Sequence, residues 1–146
     1  MLTAAIARHL TTSHPELGLV YDADGTNQFL QELPNAPTDA VAWLFSVSPP
    51  ADLSDTRVSG LQAIVRWTAG TGRARSGYQV ARSILDTLHG LHGITLAPGT
   101  EDETVLVSLL ADTAEPINLG DDTNGVPRWS LRFQAQTVAV TAHTIL

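Results

Sequence analysis

The chain contains no cysteine and no lysine. Without cysteine it has no disulfide, no thiolate metal site and no thiol nucleophile. Without lysine, every one of its 8 basic residues is an arginine, set against 15 acids for a formal charge of −7. So acidic a chain, with scattered cations, lacks the basic surface that non-specific nucleic-acid binding requires. Aromatic residues are sparse, at 5%. No apolar run approaches the roughly 18 residues of a membrane-crossing helix. The start, Met1-Leu-Thr-Ala-Ala-Ile-Ala-Arg-His-Leu10, lacks the cationic lead and long apolar core of a secretory signal. The expectation is a soluble protein that does not use that export route.

What is present fits one domain over residues 1–146. A chain of this size buries about 70% of its unfolded surface, enough to fold without a metal or a staple. The pattern predicts a helix over 2–13, with Leu2, Ala5, Ile6, His9 and Leu10 on one stripe, ended by His14-Pro15. A short strand is expected over 17–21. Asp22-Ala-Asp-Gly-Thr-Asn27 resembles a calcium loop only superficially. Counted from Asp22, Asn27 stands where the loop needs glycine and Leu33 where it needs glutamate. Residues 28–40 read as an irregular connector.

Residues 40–47 form an apolar run of strand length, and a second strand is expected over 58–68, with Leu61, Ala63, Val65 and Trp67 on one face. The loop Ala69-Gly-Thr-Gly-Arg-Ala-Arg-Ser-Gly77 has the Gly-x-Gly of phosphate loops but neither a third glycine nor a lysine. A second helix is predicted over 76–91 from the stripe Val80, Ala81, Ile84, Leu85, Leu88 and Leu91, with Ser76 as N-cap. His89 and His92 near its end are read as loop packing or dipole complements, since no third ligand is in view. Residues 94–97 and 104–110 predict a hairpin around the acidic turn Pro98-Gly-Thr-Glu-Asp-Glu103, with Val105, Val107 and Leu109 in register.

The last third is the most strongly patterned. A polar turn with Asp121, Asp122, Asn124 and Gly125 leads into Trp129, Leu131, Phe133 and Ala135, alternating with Ser130, Arg132, Gln134 and Gln136. That is the expected central strand. The element order predicts an α+β fold, a mainly antiparallel sheet with two principal helices packed on one face. No Gly-x-Ser-x-Gly, His-Glu-x-x-His or Walker pattern occurs. The sequence therefore predicts no catalytic residues, no metal and no cofactor.

The element order, with Pro116-x-x-Leu-Gly-Asp-x-x-Asn-Gly125 running into Trp129-Ser-Leu-Arg-Phe133, resembles the tail terminator (minor tail or tail-completion) proteins of long-tailed bacteriophages. Leu33-Pro34, Gln62-Ala-Ile-Val-Arg66 and the helix over 78–91 fall where that family has comparable features. Where the family's final strand has asparagine-phenylalanine, this chain has Arg132-Phe133. The resemblance implies a virion structural protein at the head–tail junction. It implies a homo-oligomer, a hexameric ring, that stops tail-tube growth. Its implied partners are the tail tube protein and the head-closure or connector proteins, with DNA only as passing cargo and no membrane. Another neck component or a tube protein is the alternative within the class. A small soluble enzyme or ligand-binding domain is the alternative outside it. Contact residues are expected at Arg73 and Arg75 in the glycine loop, at Asp52, Asp55 and Arg57 before the second strand, and at Arg66, Arg132, Gln134 and Gln136 on polar strand faces.

Overall fold

The computed structural model describes residues 2–21, 26–47, 56–68 and 76–138. The fold is α+β. The first helix, α1 (Leu2–Ser13), buries Leu2, Thr3, Ala4, Ala5, Ile6, Ala7 and Leu10. Its alanines bring the helix backbone close to what it covers. The chain then makes a short 3-10 turn (Pro15–Leu17), closed by Gly18 in the left-handed region at φ 71°. The expected strand over 17–21 does not form. Leu17 belongs to the 3-10 turn and Gly18 reverses the chain, the Val20 and Tyr21 N–H groups go to the side chains of Asn27 and Thr11, and Leu17 and Leu19 are buried in the core.

Seven strands form one sheet: β1 (Gln28–Leu30), β2 (Ala40–Val47), β3 (Thr56–Arg66), β4 (His92–Leu96), β5 (Thr104–Ala111), β6 (Ile117–Asp121) and β7 (Pro127–Val138). Their order is β1-β2-β3-β7-β5-β4, with β6 also on β7. All pairings are antiparallel except that of β1 with β2. The long final strand is therefore central, as its alternation predicts. β3 pairs with it along its whole length, from Thr56 opposite Val138 to Arg66 opposite Arg128. Its other edge is shared. β5 takes the end from Phe133 to Thr137, and β6 takes the start from Pro127 to Ser130.

The second helix, α2 (Gly77–Leu88), starts at Ser76 with a capping box, in which Ser76 and Gln79 each accept the other's backbone N–H. Its buried residues Val80, Ala81, Ile84, Leu85 and Leu88 are those predicted, but the helix ends at Leu88, and Leu91, expected on the stripe, lies beyond it and packs half-buried against the core. Both helices contribute to a single core with Val41, Trp43, Leu61, Ala63, Val65, Leu131, Phe133 and Ala135. On β2, β3 and β7 these alternate residues share one face of the sheet.

Three predictions are corrected. Residues 28–30, expected as connector, are a strand. β6, expected as turn, is another. Neither has the apolar alternation that marks a half-buried strand, since β6 is exposed at every position. The face of β5 is also different. A register shift between Leu106 and Ser108 adds a residue, so Leu106 and Leu109 are buried while Val105 and Val107 stay 40% and 37% exposed.

A buried polar chain ties α1 to the sheet. Trp43 Nε1 donates to Gln28 Oε1 at 3.0 Å, and Gln28 Nε2 donates to Ala7 O and to Thr11 Oγ1, each at 3.1 Å. Thr11 Oγ1 in turn accepts the Tyr21 N–H at 3.0 Å. Gln28 and Trp43 are fully buried, so each polar atom needs its partner. Replacing Gln28 by leucine strands the Trp43 N–H and frees α1. The expected loss is about 1–3 kcal/mol by urea melting. Adding Trp43→Phe to Gln28→Leu removes the orphan donor, so the double variant should lose less than the sum of the single losses.

Candidate interface

The face of the sheet opposite the helices carries the residues that the sequence marks as polar. On β3 and β7 the cross-strand pairs are Gly60 with Gln134, Gln62 with Arg132, and Ile64 with Ser130. Gln62 Nε2 donates to Ser130 Oγ at 2.9 Å, joining the strands through side chains as well as backbone. Arg132 and Gln134 are exposed and Gln136 is half-buried. Arg132 forms no ion pair among the described residues. Beside them lies an open groove of about 350 Å³, lined by Gln31, Leu44, Gly60, Gln62, Asp112 and Arg132 among others. Gly60 is one of its lining residues, and a Cβ there would come within 2.7 Å of Ser46 Oγ.

Apolar residues rim this polar centre. Val58 lies opposite Gln136, Leu110 opposite Gln134, and Val138 opposite Thr56. They are 37%, 50% and 36% exposed. On the flank, β6 leaves Ile117 and Leu119 each 39% exposed. Val58, Leu110 and Val138 are single exposed apolar residues around a polar centre, which by themselves mark no partner.

The candidate contact residues do not form one site. Arg57 is exposed at the far end of β3, while Arg132, Gln134 and Gln136 share the open face. Asp52, Asp55, Arg73 and Arg75 lie outside the described residues. Arg66, expected on a polar strand face, is only 5% exposed. Its Nε donates to Thr38 O at 2.9 Å, and its Nη2 donates to Pro34 O at 2.6 Å and Pro37 O at 2.7 Å. Asp122 Oδ2 lies 3.9 Å from Nε. The guanidinium thus holds the 34–38 segment over the end of β3. It is an internal clamp, and sequence reasoning missed this because the carbonyls it satisfies carry no residue signature.

Asp122 organises the tight turn before β7. Its Oδ1 accepts the N–H of Asn124 at 2.8 Å and of Val126 at 2.9 Å. Gly125 takes φ 77°, as an Asn-Gly turn requires. The Val126 amide first, then the Asn124 amide and the charges of Arg66 and Arg128, hold the Asp122 carboxyl below the ordinary carboxylate range. The acidic turn over 98–103 is solvated, with only Asp102 drawn inward. Asp102 has a side chain only 15% exposed and pairs with Arg8 Nε at 2.8 Å. His89 is a loop-packing residue, its Nδ1 accepting the Ala111 N–H at 2.9 Å. Among the described residues no three His, Asp or Glu side chains converge as a metal site, and no helix is long and apolar enough to cross a membrane.

No family model matches the sequence, and no curated protein does. Among solved structures the chain is similar to a chain of the virion of a native gene transfer agent particle. The TM-score is 0.63 at 21% identity, covering 94% of this chain and 95% of that chain. The two share a fold over nearly their whole lengths.

Arg66→Ala leaves three carbonyls without their charged donor, and the expected cost is about 2–4 kcal/mol by urea melting. Arg66→Lys should recover only part, since one ammonium lacks the planar fork. Asp122 has a folded pKa below its unfolded one, so the stability it gives is present above the unfolded value and lost as pH falls through the folded value. Acidification from pH 7 to pH 3 should therefore destabilise the wild type more than Asp122→Asn. Equal losses would remove Asp122 from the acid response.

Proposed function

We propose that this protein is a virion structural protein, a tail terminator that forms a ring, expected to be hexameric, at the head-proximal end of a tail tube. The observation that carries the reading is the near full-length likeness of fold to a chain of a gene transfer agent virion. The order of elements and the turn over 116–125 support it independently through their resemblance to tail terminators. In this reading the ring stops tube growth and presents a surface to the head-closure or connector proteins. The protein belongs to the virion and is made in the host cytoplasm.

The physics is compatible with a ring. Head-to-tail contacts close on rotation when each copy offers two different surfaces. The open sheet face, with Arg132, Gln134 and Gln136, and the exposed β6 flank are two such surfaces. Arg73, Arg75 and Arg57 are further contact residues in this proposal, together with Asp52 and Asp55. A net charge of −7 would let DNA pass a channel without adhering. No chemistry is assigned to the protein.

Negative-stain microscopy and mass photometry of the purified protein test the reading. Single closed rings are expected. Open-ended tubes would make it a tube protein, and a persistent monomer that also fails to cap purified tail tubes would refute the terminator role. Replacing Arg73 and Arg75 with glutamate should weaken assembly at least tenfold in concentration while leaving the thermal melt of the subunit unchanged. Unaltered ring formation would remove these arginines from the seam.

A further inference from the structure

We propose that the C-terminal half of α1 is an acid-sensitive latch, keyed by His9, whose opening becomes more frequent as pH falls below about 6.5. His9 lies on the side of α1 that borders a cavity of about 520 Å³, walled by Arg8, Thr12, Tyr21, Ala97 and Thr100 among others. Its Nε2 is buried and has no hydrogen-bond partner. Its ring meets that of His14 edge-on, with centroids 5.4 Å apart.

The surroundings suit a neutral imidazole and oppose a charged one. One basic group faces the ring, His14 at the end of the helix, while Arg8, next along the helix, is paired with Asp102. The nearby carboxylates are engaged elsewhere. Glu16 Oε1 lies 3.1 Å from His14 Nδ1, and Asp102 takes the Arg8 Nε at 2.8 Å. Tyr21 lies under the Arg8 guanidinium, 5.3 Å from ring centroid to Cζ, and Glu101 acts on Arg8 only through space. Burial first, and then the charge of His14, push the His9 imidazole below its ordinary value.

The direction of the effect follows. A group whose closed-state pKa is lowered favours opening once pH falls below its open-state value, about 6.5 for a solvated histidine. Above that value protonation of His9 adds nothing to opening. Below it, opening brings a proton onto His9, and the effect saturates once pH drops beneath the closed-state value.

What opens is defined by the bonds that hold the last turns of α1. Thr11, two residues after His9, accepts from Gln28 Nε2 and from the Tyr21 N–H. Arg8 holds the turn that carries Asp102. Charging His9 strains this set from within, and release widens the cavity, already open to solvent at Thr12 and Thr100, along the helix. The first half of α1, buried through Leu2, Ala5 and Ile6, stays docked.

Amide hydrogen exchange of the full chain, corrected for intrinsic rates, tests this across pH 7.5 to 5.5. Protection of residues 9–13 and of Tyr21 should fall by up to about 10-fold per pH unit below roughly 6.5, while α2 amides hold steady. His9→Gln, which cannot titrate, should abolish that dependence. An NMR titration of the wild-type ring should place His9 below 6.5 and does not depend on any variant folding. A His9 ring titrating at or above 6.5, or an unchanged pH dependence in His9→Gln, would overturn the proposal.

Discussion

A twelve-residue strand in the middle of a sheet must satisfy backbone donors and acceptors on both edges, and β7 sets that requirement here. One edge is met by β3 in an unbroken register. The other is met in two pieces, because neither β5 nor β6 is long enough alone. Past Asp112, whose N–H still donates to Arg132 O at 2.8 Å, residues 113–116 leave the ladder between them, and the excursion is anchored to α2. Arg82 Nη1 contacts Glu115 Oε1 at 2.8 Å and Ala114 O at 2.9 Å, and the Tyr78 hydroxyl bonds Glu115 as well. The position of the second helix and the split edge are thus coupled through one loop.

The same requirement explains where the molecule is covered and where it is bare. Alternation on β7 sends Leu131, Phe133 and Ala135 under the helices and Arg132, Gln134 and Gln136 to the other side. The helices fill one face, and the 34–38 segment, clipped down by Arg66, shields one end of the other. What remains is a polar centre with valine and leucine at its rim. In the proposed ring this is the surface available to a neighbour or to a channel.

How much of this could be read from the chain depended on whether a signal was periodic. α1, α2, β2, β3 and β7 carry their burial in spacing, and their limits fall within a few residues of those expected. β1 and β6 carry none, because one is three residues long and the other is exposed throughout. The β5 bulge broke a pattern that looked regular, since one extra residue exchanges the faces of everything beyond it. Arg66 and Gln28 were the hardest to see. Both are polar residues buried by long-range bonds to backbone or to an indole, and nothing local in sequence announces such a partner. The open-face residues Arg132 and Gln134 were visible for the opposite reason, as the polar half of a strong alternation.

The divided edge of β7 also separates contacts by how far apart they lie along the chain. Asp121 meets Pro127 across a tight turn, whereas Thr56 meets Val138 from the other side of both helical and strand segments. Closing the short loop costs little conformational entropy, and closing the long one costs more. Of the pairings that β7 makes, the β6–β7 hairpin therefore closes the shortest loop, and its register is the least costly in chain entropy.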